Sequence, residues 1–366
     1  MAKRTYTGVD GKARKVKRGY AGIDRTARKV KKAYIGVGGV ARPCWSSGEL
    51  AYYGNITPLS SARSRVQGTA VGKYALLAGG TNSSDVNSVD AYDTTLTKFL
   101  PASLSKNTCE FGAATTGNYA ICAGVGRSTT VDVYDADLTK SSRSDFGYTA
   151  ERQRGAEAGD RAVFAGLRQG DTTPINAIVA YNGDLTRQTA SMTEAKTFAC
   201  MNRFDGKAVI AGGQISYPTT RSAKVEFITS DLTVATTTMP VARQGGSCAS
   251  GSDFLFICGG NLGTSEDYSS DVQAFDKDMT RYSADDLSAA NNMFGANLTN
   301  GAMFAEPGYT DFYDDHLTKT VITGLNPIRN SGTTGARAPV IGDFLICAGG
   351  HHNGTPYNTV DAYTFG

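Results

Sequence analysis

The stretch "MPVARQGGSCASGSDFLFICGG" (239–260), continuing as "DVQAFDKDMTRYSAD" (271–285), carries the reading of the fold. It begins with a Pro-containing turn and an Arg. A run of small residues, "GGSCASG", follows, and then an apolar run, "DFLFICGG", that stops on two glycines. After a polar loop come the alternating segment "SDVQAFD", the turn "DKDM" and the outer segment "TRYSAD". Runs of five to seven residues rich in β-branched and aromatic side chains, separated by Gly, Asp and Asn, are strands joined by turns. This unit therefore reads as four short strands.

The unit recurs along the chain. Apolar runs ending in small residues appear as "YALLAGG" (74–80), "YAICAGV" (119–125), "AVFAGL" (162–167), "AVIAGG" (208–213), "FLFICGG" (254–260), "AMFAEP" (302–307) and "FLICAGG" (344–350). The first glycine of each falls at 79, 124, 166, 212 and 259, is replaced by Glu306, and returns at 349. A second marker lies downstream of the first six: "VDAYDTTLT", "VDVYDADLT", "IVAYNGDLT", "VEFITSDLT", "VQAFDKDMT" and "DFYDDHLT". The seventh copy stops at "VDAYTFG", one outer strand short. No window of the body sustains a 3.6-residue period with caps, so helices are not expected. Seven four-stranded units of 40–50 residues predict an all-β, seven-bladed β-propeller. The segment "ELAYYGNITPLSSAR" (49–63) matches the missing strand and is expected to complete the last blade, which closes the ring and removes an open sheet edge.

The order Pro-turn, Arg, small strand, apolar strand and Gly-Gly in 239–260, and again in "LSSARSRVQGTAVGKYALLAGG" (59–80), resembles kelch-type propellers. The resemblance covers about residues 49–366. It implies a fold rather than a function, because one propeller scaffold hosts binding modules and enzymes alike. It also implies that the kelch Arg position, filled here by Arg63, Arg152, Arg243 and Arg329 with Lys196 equivalent, lies near the mouth of a central pocket. Such a ring would favour acidic ligands. The alternative is that each cation hydrogen-bonds neighbouring carbonyls.

Little in the chain resembles catalytic machinery. His316 lies in a turn, and His351 and His352 are adjacent, so their side chains point apart along an extended strand. The seven cysteines are odd in number, contain no Cys-x-x-Cys pair, and in part sit inside apolar runs, where a reduced Cys behaves as a small hydrophobe. We expect no enzyme, no cofactor and no metal site. The repeated aspartates of the Tyr-Asp-x-x-Leu-Thr turns are read as turn residues. The loops between second and third strands vary most, and carry Tyr217, Tyr268, Tyr309 and Tyr357 among short polar side chains. With the Arg positions they form the expected ligand-binding face, since a constant scaffold with diverse loops builds recognition surfaces.

Charge divides the chain. Residues 1–42 hold 13 Lys/Arg against Asp10 and Asp24, whereas the remainder has a net charge of −8. We therefore expect two parts, a basic arm over 1–45 and the propeller over 46–366. The arm repeats a 14-residue phrase headed by Tyr6, Tyr20 and Tyr34, with basic knots that include Arg14, Lys15, Arg28 and Lys29. Its apolar positions fit a heptad seam, but its many glycines each cost a helix about 1 kcal/mol. Extended segments with turns are the favoured reading. The tandem phrase Y-x-G-V-x-G-x-A-R-K-V-K-K resembles the N-termini of structural, tail- or fibre-type proteins of phages and prophages of Gram-positive bacteria. That resemblance covers about 42 residues. It implies a virion or tail-like component assembled in the host cytoplasm. No secretion signal or membrane insertion is expected, because the basic N-terminus lacks an apolar core and no run approaches about 18 apolar residues. The arm would contact other virion or tail proteins, the propeller a bacterial surface glycan or protein, and the chain could self-associate. The alternative function is an intracellular nucleic-acid binder, because Tyr interleaved with Lys/Arg can stack bases and neutralise phosphates; a kelch-type enzyme is the third reading.

Overall fold

In the computed structural model, backbone strands are described within residues 6–46. Backbone and side chains are described over 50–366 apart from 150, 171, 217–219, 264–266, 291–293, 306–308, 323–337, 352–353 and 365–366. The body is an all-β ring of seven four-stranded antiparallel sheets. Blade 1 runs Gln67–Val71, Tyr74–Ala78, Val89–Asp93 and Lys98–Phe99 from its innermost to its outermost strand, and blades 2 to 6 repeat that order. Blade 7 takes Val340–Ile341, Phe344–Ala348 and Val360–Thr364 from the end of the chain. Its fourth strand is Ala51–Ile56, which pairs with Val360–Thr364. The paired strand is shorter than the 49–63 segment read from the sequence. From Thr57 the chain already crosses toward blade 1, and Leu59 N–H donates to Asn358 O.

Why every second strand is continuously apolar follows from the ring. Side chains of a strand alternate between its two faces, and in a propeller each face meets a neighbouring blade. Leu76 and Ala78 join Phe111, Ala113 and Cys122 in a cluster shared with blade 2, whereas Ala75 and Leu77 join Ile341, Ile346 and Val360 of blade 7. Seven such clusters occupy the seven seams between blades. Truncating a buried leucine there costs about 2–5 kcal/mol.

The glycine pair ending the second strand answers to the same geometry. Gly79 has φ +60°, and a Cβ on it would lie 2.6 Å from Thr108 O at the entry to blade 2. The next N–H, of Gly80, donates to that carbonyl at 2.9 Å; Gly213 donates in the same way to Arg243 O at 2.8 Å. At the ring closure, Gly350 donates to Arg63 O at 3.1 Å.

The Tyr-Asp-x-x-Leu-Thr turns are hairpin loops built alike. In blade 2, Leu138 N–H donates to Asp135 O, and Asp135 Oδ1 accepts from the N–H groups of Asp137 and Thr139. The fourth residue of each turn is left-handed at φ 62–66°: Leu96, Leu138, Leu185, Leu232, Met279 and Leu317. Glycine ordinarily fills such a site. Here a half-buried apolar side chain packs onto a seam cluster instead.

A polar staple fixes the crossing from one blade to the next. Asp90, fully buried on the third strand of blade 1, accepts from the N–H and hydroxyl of Ser60 at 3.0 Å each. Lys98 on the fourth strand reaches Asp90 at 2.9 Å and Pro58 O at 2.7 Å, and the Tyr92 hydroxyl donates to Thr57 O at 2.7 Å. The same Tyr, Asp, Lys and Ser recur as Tyr134, Asp132, Lys140 and Ser105, and as Tyr313, Asp311, Lys319 and Ser288.

The arm contains three two-stranded antiparallel hairpins, one per repeat: Tyr6–Val9 with Lys12–Lys15, Gly19–Ile23 with Thr26–Val30, and Lys32–Val37 with Val40–Ser46. Tyr6 faces Lys15 across the first and Tyr20 faces Lys29 across the second. The side chains of Tyr6, Arg14, Lys15, Tyr20, Arg28, Lys29 and Tyr34 lie outside the described residues.

Candidate functional site

The innermost strands surround the ring axis, and its two mouths differ in chemistry. The first mouth lies where each chain segment enters its innermost strand. In blades 1 to 5 the residue 14 positions before the second-strand glycine stands there: Arg65, Glu110, Arg152, Phe198 and Gly245. Neighbours in this series touch around the ring. Glu110 accepts from Arg65 at 3.3 Å and from Arg152 at 3.1 Å. The Arg152 guanidinium lies 4.1 Å from the centre of the Phe198 ring. The backbone follows suit, with Arg152 N–H donating to Glu110 O and Gly245 N–H to Phe198 O.

Two further arginines join this mouth from the loops between second and third strands. Arg127 reaches Glu151 at 2.8 Å, and Arg168 pairs with the same carboxylate. Behind them, Arg154 opens the innermost strand of blade 3 and is buried, donating to the carbonyls of Arg152 and Gln153. Five arginines thus gather with two glutamates. Burial, the largest influence, pushes the Arg152 and Arg154 pKa values down, while Glu110 opposes it in both. Arg65, Arg127, Arg152 and Phe198 all have φ between 53° and 64°. Outside the repeated turns, only Ser83 and Asp205 share that non-glycine conformation among the described residues. Strain of this kind gathers where the surrounding structure over-determines the backbone.

The cations expected at a ligand mouth separate into two groups. Arg63, Lys196 and Arg243 stand 16 residues before Gly79, Gly212 and Gly259, whereas Arg152 stands 14 before Gly166. The first three turn inward. Arg63 and Asp90 meet at 2.7 Å with both side chains fully buried, and Arg63 also donates to Leu77 O. Lys196 and Glu226 meet at 2.7 Å, again both buried. Arg243 pairs with Asp271 and donates to Gly259 O. These contacts match the carbonyl-bonding alternative: they tie blades together and leave those groups away from solvent. Arg152 alone of the set faces the mouth, and Arg329 lies outside the described residues.

Tyr309 and Tyr357 are exposed, Tyr268 is half-buried, and Tyr217 lies outside the described residues. His316 is an exposed turn residue whose N–H donates to Asp314, and His351 is half-buried. The six described cysteines are buried. Burial, with help from Asp85, pushes the Cys109 thiol up to about 12. A contact from Cys248 moves Cys200 down, against the opposing pull of burial.

The second mouth lies at the hairpins between first and second strands, the end opposite the loops expected to bind. A cavity of about 730 Å³ opens there, lined by all seven blades. Its walls carry Thr69, Thr115, Glu157, Arg203, Ser250 and Asn297 beside Phe204, Leu298 and Val340. Sequence reading missed this cavity, because its lining comes one or two residues at a time from strands far apart in the chain.

No family model matches the chain, and no curated protein matches it. Among solved structures, one titled "Streptogramin B lyase structure" superposes with a TM-score of 0.57 at 8% identity, over 86% of this chain and 98% of that one. Another, "Structure of YjhT", gives 0.56 at 10% identity, over 83% and 95%. At such identities the likeness is one of fold.

Proposed function

We propose that the chain is a virion or phage-tail-like structural protein that binds rather than catalyses. Its basic arm anchors it to the particle, and its propeller is displayed to a host-surface glycan or protein. The observation that carries this reading is the partition of charge. A three-repeat arm with 13 Lys/Arg and two acids precedes a ring with a net charge of −8, and a basic arm is suited to an acidic surface. The resemblance of the 14-residue phrase to phage structural proteins supports the anchoring half. The arginine-lined mouth supports the recognition half, since guanidinium forks suit carboxylates and phosphates. Arg65, Arg127 and Arg152 also share a left-handed backbone that is costly for a residue with a side chain.

The test is assembly with and without residues 1–45. The full chain is expected to co-purify with particles and the truncated chain to fold but stay behind; equal incorporation of both would refute the anchoring role. For recognition, Arg65→Ala with Arg127→Ala removes the two more exposed guanidinia, at 41% and 62%. Cell binding of the full-length double variant should fall and lose salt dependence. Unchanged, salt-dependent binding would move recognition elsewhere.

A further inference from the structure

We infer that Cys200 and Cys248 form a redox-active dithiol, which hydrogen peroxide converts to a disulfide across the seam between blades 4 and 5. The inference does not rest on the particle reading, and it concerns a seam rather than either mouth. Among the described cysteines only these two share a seam cluster; Cys122, Cys258 and Cys347 each stand in a different one.

The register of the ring brings the two thiols together. Cys200 opens the innermost strand of blade 4, Cys200–Phe204, and pairs with Ala211, the residue before Gly212. Ser247 opens that of blade 5, Ser247–Ser250, and pairs with Cys258, the residue before Gly259. The two therefore hold the same place. Cys248 and Gly295 likewise correspond, as the second residues of their strands. A Cβ on Gly295 would lie 2.9 Å from Ser247 Oγ, one blade behind it. The same arrangement one seam earlier sets Cys200 against Cys248, and the Cys248 thiol donates a hydrogen bond to Cys200 Sγ. Asn202, on the same face of its strand as Cys200, donates to Cys248 O at 2.6 Å and holds the two strands in that register. A disulfide needs Cβ atoms about 3.5–4.5 Å apart. Side chains already in contact need little backbone movement to reach it.

Charge decides which sulfur reacts first. The hydrogen bond from Cys248, the largest influence, draws the Cys200 pKa down; burial opposes it, and Arg243 and Lys196 lower it further. Cys200 is thus the nucleophile, since the thiolate is the reacting form. Its sulfur attacks one peroxide oxygen, the O–O bond breaks, and the departing hydroxide takes up a proton to become water. Cys200 is left as a sulfenic acid. The Cys248 sulfur then attacks the Cys200 sulfur; the S–O bond breaks, and the hydroxyl leaves with the Cys248 proton as a second water. In all, the two thiols lose two electrons and two protons, and one peroxide becomes two waters. With the two residues 2% and 5% exposed, an oxidant close to water in size fits the site and a bulky disulfide does not.

The experiment treats the full chain with excess hydrogen peroxide, blocks the remaining thiols with iodoacetamide in denaturant, and maps peptides by mass spectrometry with and without dithiothreitol. A Cys200–Cys248 link, lost on reduction, should be the first to appear. Closing the loop between them restricts the unfolded chain, so the oxidised form should melt about 3 °C or more above the reduced one. Cys248→Ala should abolish the link and the shift, and leave Cys200 as a sulfenic acid that dimedone traps. Cys122→Ala, in another seam, should keep both. Mapping of the wild-type chain decides the matter even where a variant folds poorly. Thiols as fully alkylated as in the untreated chain, or Cys200 carried to sulfinic acid without the link, would overturn the inference. So would a link between other cysteines that forms first, or an oxidised form that melts no higher than the reduced one.

Discussion

Leu138 offers a sharp test of the turn account, because two truncations of the same side chain should rank in the opposite order from that found in ordinary strands. Its backbone is left-handed at φ 64°, and its half-buried side chain packs onto the cluster of Phe111, Cys122 and Tyr134. Leu138→Ala keeps the unfavourable backbone and loses the outer methyl groups. A fully buried leucine would cost about 2–5 kcal/mol, so a half-buried one should cost about 1–2 kcal/mol. Leu138→Gly loses the same packing but removes a left-handed penalty of about 1–2 kcal/mol. Elsewhere in a strand or helix, glycine is worse than alanine by about 0.5–1 kcal/mol. Here it should be better by about that amount. Guanidinium unfolding of the full chain, with midpoints and slopes compared across wild type, Leu138→Ala and Leu138→Gly, reads the difference directly. A glycine variant less stable than the alanine variant by 0.5 kcal/mol or more, on the order of the usual ranking, would refute the claim that the side chain is held there at the backbone's expense.

Other predictions follow from the seams and buried pairs. Gly212→Ala should destabilise by about 2 kcal/mol, since a Cβ would lie 2.6 Å from Arg243 O and φ is +62°; a thermal melt matching wild type would contradict this. Lys196→Met should cost about 3–5 kcal/mol by leaving buried Glu226 without its cation, and adding Glu226→Leu should restore much of that loss; denaturant midpoints of both variants decide it. Burial, the largest influence on Asp90, raises its pKa, but Arg63 and Lys98 together overcome it and hold the carboxyl below its usual range. Its contribution to stability is therefore present above about pH 4, the unfolded value, and is lost as pH falls through the lower folded value. Asp90→Asn should be less stable at neutral pH, and its melting temperature should fall less steeply than that of wild type on acidification below pH 4; parallel curves would count against the pairing.

The architecture was largely legible because its determinants are local and periodic. Gly79, Gly212 and Gly259 mark the same exit from the second strand, and the missing outer strand of the last unit was present upstream at Ala51–Ile56. The staple was half legible. Asp93 and Asp135 hold turns, as their sequence setting implies, yet the buried partners Asp90 and Asp132 stand two residues before Tyr92 and Tyr134, with Lys98 and Lys140 six after. The constant offsets of Asp, Tyr and Lys between units carry that co-occurrence in the sequence. The mouth depended on a two-residue difference of offset. Arg63 and Arg152 look equivalent by motif, but one lies inside a seam and the other above it, which counting from the following glycine separates. The hairpin-mouth cavity could not be read locally, since Thr69, Glu157 and Asn297 meet only once the ring has closed.

The anchoring claim at the centre of this account is tested most directly by electron microscopy of purified particles bearing a gold label at the C-terminus of the full chain, beside particles assembled with a labelled chain lacking residues 1–45. The account predicts label at the particle periphery for the full chain and none for the truncated one. Particles without label in both cases, or equally decorated in both, would contradict it.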